Sequence, residues 1–88
     1  MSKPMNFVFH TDPGHGWVEV PFQMLQLLGI TEEITRYSYR QDQTCYLEED
    51  QDAETFVKAI QSRDGPAVEF QDRYLEDSFV RTLPPYTP

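Results

Sequence analysis

Two histidines, a carboxylate and the only tryptophan of the chain lie close together between residues 10 and 17. They are His10, Asp12, His15 and Trp17. Imidazole and carboxylate groups are zinc ligands, and a catalytic zinc site combines three such ligands with an open coordination position. His15 beside Asp12 or Glu19 also resembles a general base with an orienting carboxylate. The chemistry that this segment could support is therefore metal binding or a small hydrolytic reaction at His10, Asp12 and His15.

A structural interpretation accounts for the same residues. The run Asp12-Pro13-Gly14 favours a tight turn, because proline fixes one φ, glycine permits a positive one and aspartate bonds its own backbone. His10 would then project from a strand, and His15 would bond a loop carbonyl. The spacing of these residues matches no established metal motif, and the chain has neither a nucleophile elbow nor a phosphate-binding glycine loop. We therefore favour a structural loop in a protein that is not an enzyme and needs no cofactor, with the metal or hydrolytic site as the alternative.

The composition indicates one small acidic domain covering residues 1–88. Hydrophobic residues make up 39% of the chain and aromatic residues 14%, which suffices for a single core with little to spare. The 15 acidic side chains outnumber the 7 basic ones, so the formal net charge is −8. Such a charge repels nucleic acid and anionic membranes. The expected partner is therefore a host protein with a basic surface, including a surface that normally holds nucleic acid.

Cysteine usage and hydropathy favour a cytoplasmic location. The single cysteine, Cys45, excludes an internal disulfide framework. It lies in a strand-like alternation, which is typical of a small buried core residue. The sequence shows no apolar stretch of the signal-peptide type and no run that approaches the roughly 18 apolar residues of a membrane span.

Alternation and helical periodicity together predict an α+β fold. The predicted strands cover residues 6–10, 17–20, 36–40, 44–48 and 67–71. One helix over 22–28 follows Pro21 and ends at Gly29, and a second helix carries the apolar stripe Ala53, Phe56, Val57 and Ile60. The order is ββαββαβ, which we interpret as a small, mostly antiparallel sheet of about five strands with both helices on one face. A short element at 78–83 and an extended tail at 84–88, frayed or packed back, complete the chain.

Acidic residues are candidates for partner binding. One acidic run lies directly before the second helix, where the helix dipole stabilises negative charge and where Asp50 or Asp52 is suited to cap the N-terminus. The run contains Glu48, Glu49, Asp50 and Asp52. A second acidic group contains Asp72, Glu76 and Asp77. Whether the two groups form one patch depends on the tertiary fold.

Two tyrosines are candidates for the anchor of an interface. Tyr37 and Tyr39 alternate along the predicted third strand and therefore share one of its faces. Both are then buried or both are presented to solvent. Presented tyrosines combine a large contact area with a polar group, which is why they are enriched at the centres of interfaces.

Several segments resemble proteins of one bacterial group. The segments are Asp12–Pro21, Leu28-Gly29-Ile30, Tyr37-Ser38-Tyr39, Tyr46–Asp50 and Asp77–Pro84. The group that they resemble consists of short proteins carried largely on phages, plasmids and related mobile elements. The resemblance implies no established activity, and it carries no functional residue over to this chain. It does imply an accessory factor that binds and blocks a host protein, such as a defence nuclease.

The expected function is therefore that of a non-enzymatic protein-binding module, an inhibitor that presents acidic and aromatic residues to a basic host surface. Glu48, Glu49, Asp50 and Asp52 would supply the charge. Tyr37 or Tyr39 would supply the anchor. A subunit that forms a homodimer through an exposed strand is a further hypothesis, because the sheet edges of a small domain invite pairing.

Overall fold

A hairpin near the N-terminus begins the sheet. The computed structural model describes residues 4–88, so residues 1–3 of the predicted domain lie outside the described part. Strand β1 (Met5–Thr11) pairs antiparallel with β2 (Gly16–Pro21). The Asp12 carboxylate accepts hydrogen bonds from the backbone amides of Gly14 (3.0 Å) and His15 (2.9 Å), which is the predicted turn chemistry. The predicted turn and its aspartate bonds are therefore confirmed, whereas Gly14 does not use the positive φ that glycine permits.

The helices and the remaining strands confirm the predicted order of elements. Helix α1 (Phe22–Leu28) ends at Gly29, whose φ of 70° places it in the left-handed region that glycine tolerates. Strands β3 (Tyr39–Gln41) and β4 (Thr44–Glu48) form a second hairpin, and helix α2 (Asp52–Gln61) and strand β5 (Val68–Tyr74) follow. The strand order in the sheet is β3-β4-β2-β1-β5. All pairs are antiparallel except β1 and β5, which run parallel, so the α+β fold is built on a mixed sheet.

The two faces of the sheet carry two different cores. On the face covered by both helices, here called the helix face, Val18, Val20 and Leu47 pack against residues of the helices such as Leu25 and Phe56. Cys45 also lies in this core and is fully buried, as predicted. On the opposite face, here called the second face, a smaller cluster contains Trp17, Tyr46 and Val80. Val80 belongs to a 3₁₀ helix, Phe79–Thr82, which covers one end of this face.

The third strand is shorter than the sequence predicts. Strand β3 begins only at Tyr39, and the preceding residues form turns in which the Ser38 amide donates to the Thr35 carbonyl. These turns form because the buried Asp52 carboxylate binds Thr35 and Ser38 from outside the segment. Tyr37 therefore lies outside the strand, and the prediction that it shares a face with Tyr39 is wrong. Tyr37 is 79% exposed, whereas Tyr39 is half-buried.

The fifth strand is longer than predicted and continues through Tyr74. Its residues beyond Val68 are exposed. The alternation of apolar residues, from which the sequence predicts a strand, therefore ends before the strand does. Strand β5 is instead defined by its backbone pairing with β1, from Met5 opposite Val68 to Thr11 opposite Tyr74.

The C-terminal tail packs back on the sheet. The Tyr86 amide donates to the Ser38 carbonyl, and the Arg40 amide donates to the Pro84 carbonyl. The Tyr86 side chain is 1% exposed, and its hydroxyl donates to the Thr31 carbonyl at 2.7 Å. Of the two alternatives for the tail, packing back is therefore correct. Within residues 4–88, neither helix has the length and apolar character needed to cross a bilayer.

Candidate functional site

A cleft of about 470 Å³ opens beside the second face, where β2 begins, β4 ends and the C-terminal segment crosses them. Its lining comes from separate parts of the sequence: the turn after β1, the residues before β3, the acidic run and the C-terminus. The lining residues are His15, Trp17, Arg36, Tyr37, Tyr39, Glu48, Asp50, Gln51, Arg81 and Pro85. The fold thus brings members of both sequence-predicted groups, the loop and the partner-binding residues, to one place.

Aromatic rings form one wall of the cleft. The Trp17 ring is 1% exposed, and the His15 ring stacks on it with a centroid separation of 6.0 Å and an interplanar angle of 28°. Tyr39 meets Trp17 edge to face at 6.1 Å. Tyr37 stands at the rim and leaves most of its surface in solvent. The wall therefore consists of an aromatic base formed by Trp17, Tyr39 and His15, with the exposed Tyr37 at its rim.

An ion pair ties the C-terminal segment to the hairpin turn at the side of the cleft. The Arg81 guanidinium donates from Nε to Asp12 Oδ2 (2.5 Å) and from Nη2 to Asp12 Oδ1 (3.0 Å). This bidentate contact, with help from the amides of Gly14 and His15, holds the pKa of Asp12 well below its usual range. Arg81 also lies over the Trp17 ring, 5.3 Å from its centroid. The ion pair between Asp12 and Arg81 therefore holds the C-terminal segment against the turn, and the Asp12 carboxylate balances the charge of the guanidinium.

The three residues proposed as metal ligands make separate contacts. His10 is 3% exposed and holds Glu19 Oε1 at 2.8 Å from its Nε2, while its ring lies edge-on to Tyr46 and Phe79. Asp12 is bound by Arg81, and His15 stacks on Trp17. Residues 4–88 contain no group of three or more histidine, cysteine, aspartate or glutamate side chains placed to hold a metal ion. The alternative of a metal site at His10, Asp12 and His15 is therefore corrected, because the fold directs these side chains to separate contacts, and the buried His10 Nδ1 has no hydrogen-bond partner among residues 4–88. The hydrolytic alternative stays a prediction.

Two of the four carboxylates in the acidic run are structural. The Glu48 carboxylate accepts hydrogen bonds from the amides of Asp50 (2.9 Å), Gln51 (2.6 Å) and Asp52 (2.8 Å), and so caps the start of α2. The predicted caps, Asp50 or Asp52, are therefore wrong. Asp52 is fully buried, where it binds Thr35 and Ser38, and it cannot touch a partner. Its assignment as a partner-binding residue is corrected for that reason.

The two exposed carboxylates of the run face different surroundings. Asp50 lines the cleft. Glu49 lines a smaller apolar recess of about 140 Å³ between α2 and the sheet, with Phe9, Ala53 and Phe70. The second acidic group begins on β5, three inter-strand spacings or roughly 14 Å from Glu48 at the same end of the sheet. The acidic groups therefore share one end of the molecule without forming one contiguous site.

The cleft contains residues that the sequence alone did not single out. Arg36, Gln51, Arg81 and Pro85 enter it through tertiary contacts, and no local pattern distinguishes them from ordinary surface residues.

Cys45 lies away from the cleft, in the core on the helix face. The burial of Cys45, 0% exposed, raises the pKa of its thiol to about 11 and makes it an inert core residue.

In comparisons with known proteins, the chain matches no protein-family model, no curated protein and no solved structure.

Proposed function

We propose that this chain is a non-enzymatic protein-binding module that docks a basic partner surface at the cleft. The observation that carries the proposal is the placement of Tyr37, 79% exposed, beside an aromatic base formed by Trp17, Tyr39 and His15. An exposed tyrosine beside an aromatic base can bury a large area on binding. Residues of this kind dominate the binding energy of interfaces.

Charge supports a basic partner. The chain carries a net charge of −8, and Asp50 adds an exposed carboxylate inside the cleft. Of the two arginines that line the cleft, Arg81 is neutralised by Asp12. The positive charge of the other, Arg36, faces the carboxylates of Glu48 and Asp50. Long-range attraction of this kind raises the association rate of a basic partner and weakens as salt screens it. A host protein whose basic surface is occupied by the module would be inhibited, which is the role that the bacterial resemblance implies.

The proposal is tested by capturing a partner and then mapping where it binds. The immobilised chain is exposed to bacterial lysate at low salt, bound proteins are identified by mass spectrometry, and the purified partner is titrated against defined variants. Tyr37→Ala should weaken binding by tenfold or more, about 1.4 kcal/mol. The matched control Leu27→Ala removes another exposed apolar side chain, 69% exposed on α1, and should leave the affinity unchanged.

Charge reversal tests whether the acidic side chain in the cleft attracts the partner. Asp50→Lys should slow association more than Glu33→Lys does, although each changes the net charge by the same amount, because Glu33 borders a different cavity beside Lys58 and Arg63. Reversing Glu49 together with Asp50 should slow association further. Equal effects of Tyr37→Ala and Leu27→Ala, or of Asp50→Lys and Glu33→Lys, would place the interface elsewhere and refute the proposal.

A further inference from the structure

Strand β5 is an open sheet edge with a row of free backbone groups. The Met5 amide donates to the Ala67 carbonyl and the Leu75 amide donates to the Thr11 carbonyl, so odd-numbered residues of this strand direct their backbone groups towards β1. Because strand residues alternate, the N–H and C=O groups of the even-numbered residues point away from the sheet. Those residues are Val68, Phe70, Asp72 and Tyr74.

The opposite edge of the sheet is closed. Pro85 forms a bridge with Tyr39, and the backbone hydrogen bonds of the tail with Ser38 and Arg40 occupy the outer side of β3. Proline also lacks an N–H that could extend the sheet further. Within residues 4–88, β5 is therefore the sheet edge at which another strand can pair.

Strand β5 also presents apolar side chains that the helices do not cover. Phe70 is 45% exposed and Tyr74 56% exposed, both on the helix face of the strand. The Phe70 ring packs on Phe9 at a centroid distance of 5.9 Å, at the apolar recess beside α2. An open backbone edge with exposed aromatic residues is the feature that strand-to-strand association uses.

We infer that the occupant of this edge is a second copy of the chain, paired antiparallel through β5. In the register centred on Gln71, Glu69 lies opposite Arg73 of the second copy, and Arg73 lies opposite its Glu69. These side chains project from the second face, next to Asn6 and His10 respectively. Opposite charges directly across a strand pair stabilise the pairing, so the charge pattern of this strand is self-complementary.

The same register agrees with the backbone and brings Val68 and Tyr74 together. Val68 lies opposite Tyr74 and Phe70 opposite Asp72, and each of these residues has outward-pointing backbone groups, as hydrogen-bonded pairs require. Val68 and Tyr74 form a β-branched and aromatic pair on the helix face, and the two Phe70 rings are diagonal neighbours. The resulting two-fold dimer has an isologous interface and one continuous sheet across both copies. This inference does not depend on the proposed function of the cleft.

The affinity of the dimer is expected to be modest. A single pair of seven-residue strands buries an area at the low end of specific interfaces, below about 1,200 Å². Two copies that each carry a charge of −8 also repel one another, and at about 0.15 M salt this repulsion is screened beyond roughly 8 Å. Sedimentation velocity of the full chain in that salt, from about 10 µM to 1 mM, should show a monomer converting to a dimer.

Charge exchange at the strand tests the register. Glu69→Arg and Arg73→Glu each place like charges opposite one another, so each variant alone should raise the dimer dissociation constant at least tenfold. An equimolar mixture of the two variants should form a heterodimer, and the double variant Glu69→Arg/Arg73→Glu should regain the wild-type constant. Both side chains are exposed, so the fold of the monomer is retained.

A backbone test is independent of charge patterning. Asp72→Pro removes an outward N–H and should abolish the dimer while the circular dichroism spectrum stays that of the wild type, because proline is tolerated on the solvent side of an edge strand. Asp72→Ala is the matched control and should still dimerise. A wild-type chain that stays monomeric at 1 mM overturns the inference. Dimerisation that survives Asp72→Pro, or a mixture of charge variants that stays monomeric, also overturns it.

Discussion

Replacing Asp52 by asparagine tests the role of the most deeply buried carboxylate. Its oxygens accept hydrogen bonds from the Thr35 amide (3.1 and 3.0 Å), the Thr35 hydroxyl (2.7 Å) and the Ser38 hydroxyl (2.5 Å). These bonds shape the turns that carry Tyr37 to the rim of the cleft. Asparagine has the same shape but only one acceptor oxygen, so a hydroxyl must reorient or lose its partner.

The size of the effect follows from those contacts. A hydrogen bond to a charged group contributes about 1.5–3 kcal/mol net, and a buried donor that loses its partner costs a similar amount. Asparagine preserves part of the network, so Asp52→Asn should lower the free energy of unfolding by about 2 kcal/mol. For a chain of this size that corresponds to a melting temperature lower by about 8–16 °C. Asp52→Ala should cost more, because it leaves no acceptor at all.

Urea unfolding monitored by the fluorescence of the buried Trp17 measures this free energy, and thermal melting by circular dichroism provides an independent value. Asp50→Asn is the control, because the same chemical change at an exposed position should stay within about 0.5 kcal/mol of the wild type. If Asp52→Asn and Asp50→Asn were equally stable, the structural role assigned to the buried carboxylate would be refuted.

Three further changes test other contacts. Glu48→Ala removes the cap of α2 and should lower the free energy of unfolding by about 1–2 kcal/mol with a loss of helical circular dichroism; an unchanged spectrum and stability would contradict the capping role. Tyr86→Phe deletes the hydroxyl bond to the Thr31 carbonyl and should cost about 1 kcal/mol in urea unfolding, whereas a free tail would show no change. Burial raises the pKa of Cys45 to about 11 from its ordinary value of 9.0, so the folded state keeps this proton at pH values where the unfolded state releases it. The buried, protonated Cys45 thiol therefore makes its full contribution to the free energy of unfolding below about pH 9, and this contribution is lost as the pH rises towards 11. In Cys45→Ala, the free energy of unfolding should change less with pH over this range. A native thiol that reacts with Ellman's reagent at pH 8 as quickly as the unfolded one would contradict its burial.

Local chemistry explains why much of the fold was predictable. The turn at Asp12-Pro13-Gly14 depends on the Asp12 carboxylate, which accepts hydrogen bonds from the amides of Gly14 and His15, so its residues specify it directly. Helix α2 follows from the spacing of Ala53, Phe56 and Ile60, since a single stripe of that period can be buried only by a helix. Gly29 marks the end of α1 because its φ is one that other residues adopt rarely.

The deviations arise where a distant residue determines the local conformation. Tyr37 and Tyr39 alternate like a strand, yet Asp52 binds the residues around them and turns the chain before β3 begins. Strand β5 extends past its apolar residues because backbone pairing with β1, rather than burial, holds it. The predicted sites changed for the same reason, since the use of Glu48 as a helix cap depends on where α2 begins.

The sequence by itself determined the order of the elements, the presence of both helices on one face of the sheet and the acidic character of the molecule, because periodicity and composition are properties of neighbouring residues. Only the tertiary structure decided which polar side chains are free. Asp12 and Arg81 are far apart in the chain, and their ion pair closes one side of the cleft. Packing across such distances brought Trp17, Tyr37 and Asp50 together and buried Asp52, because each contact depends on the position of an element elsewhere in the chain.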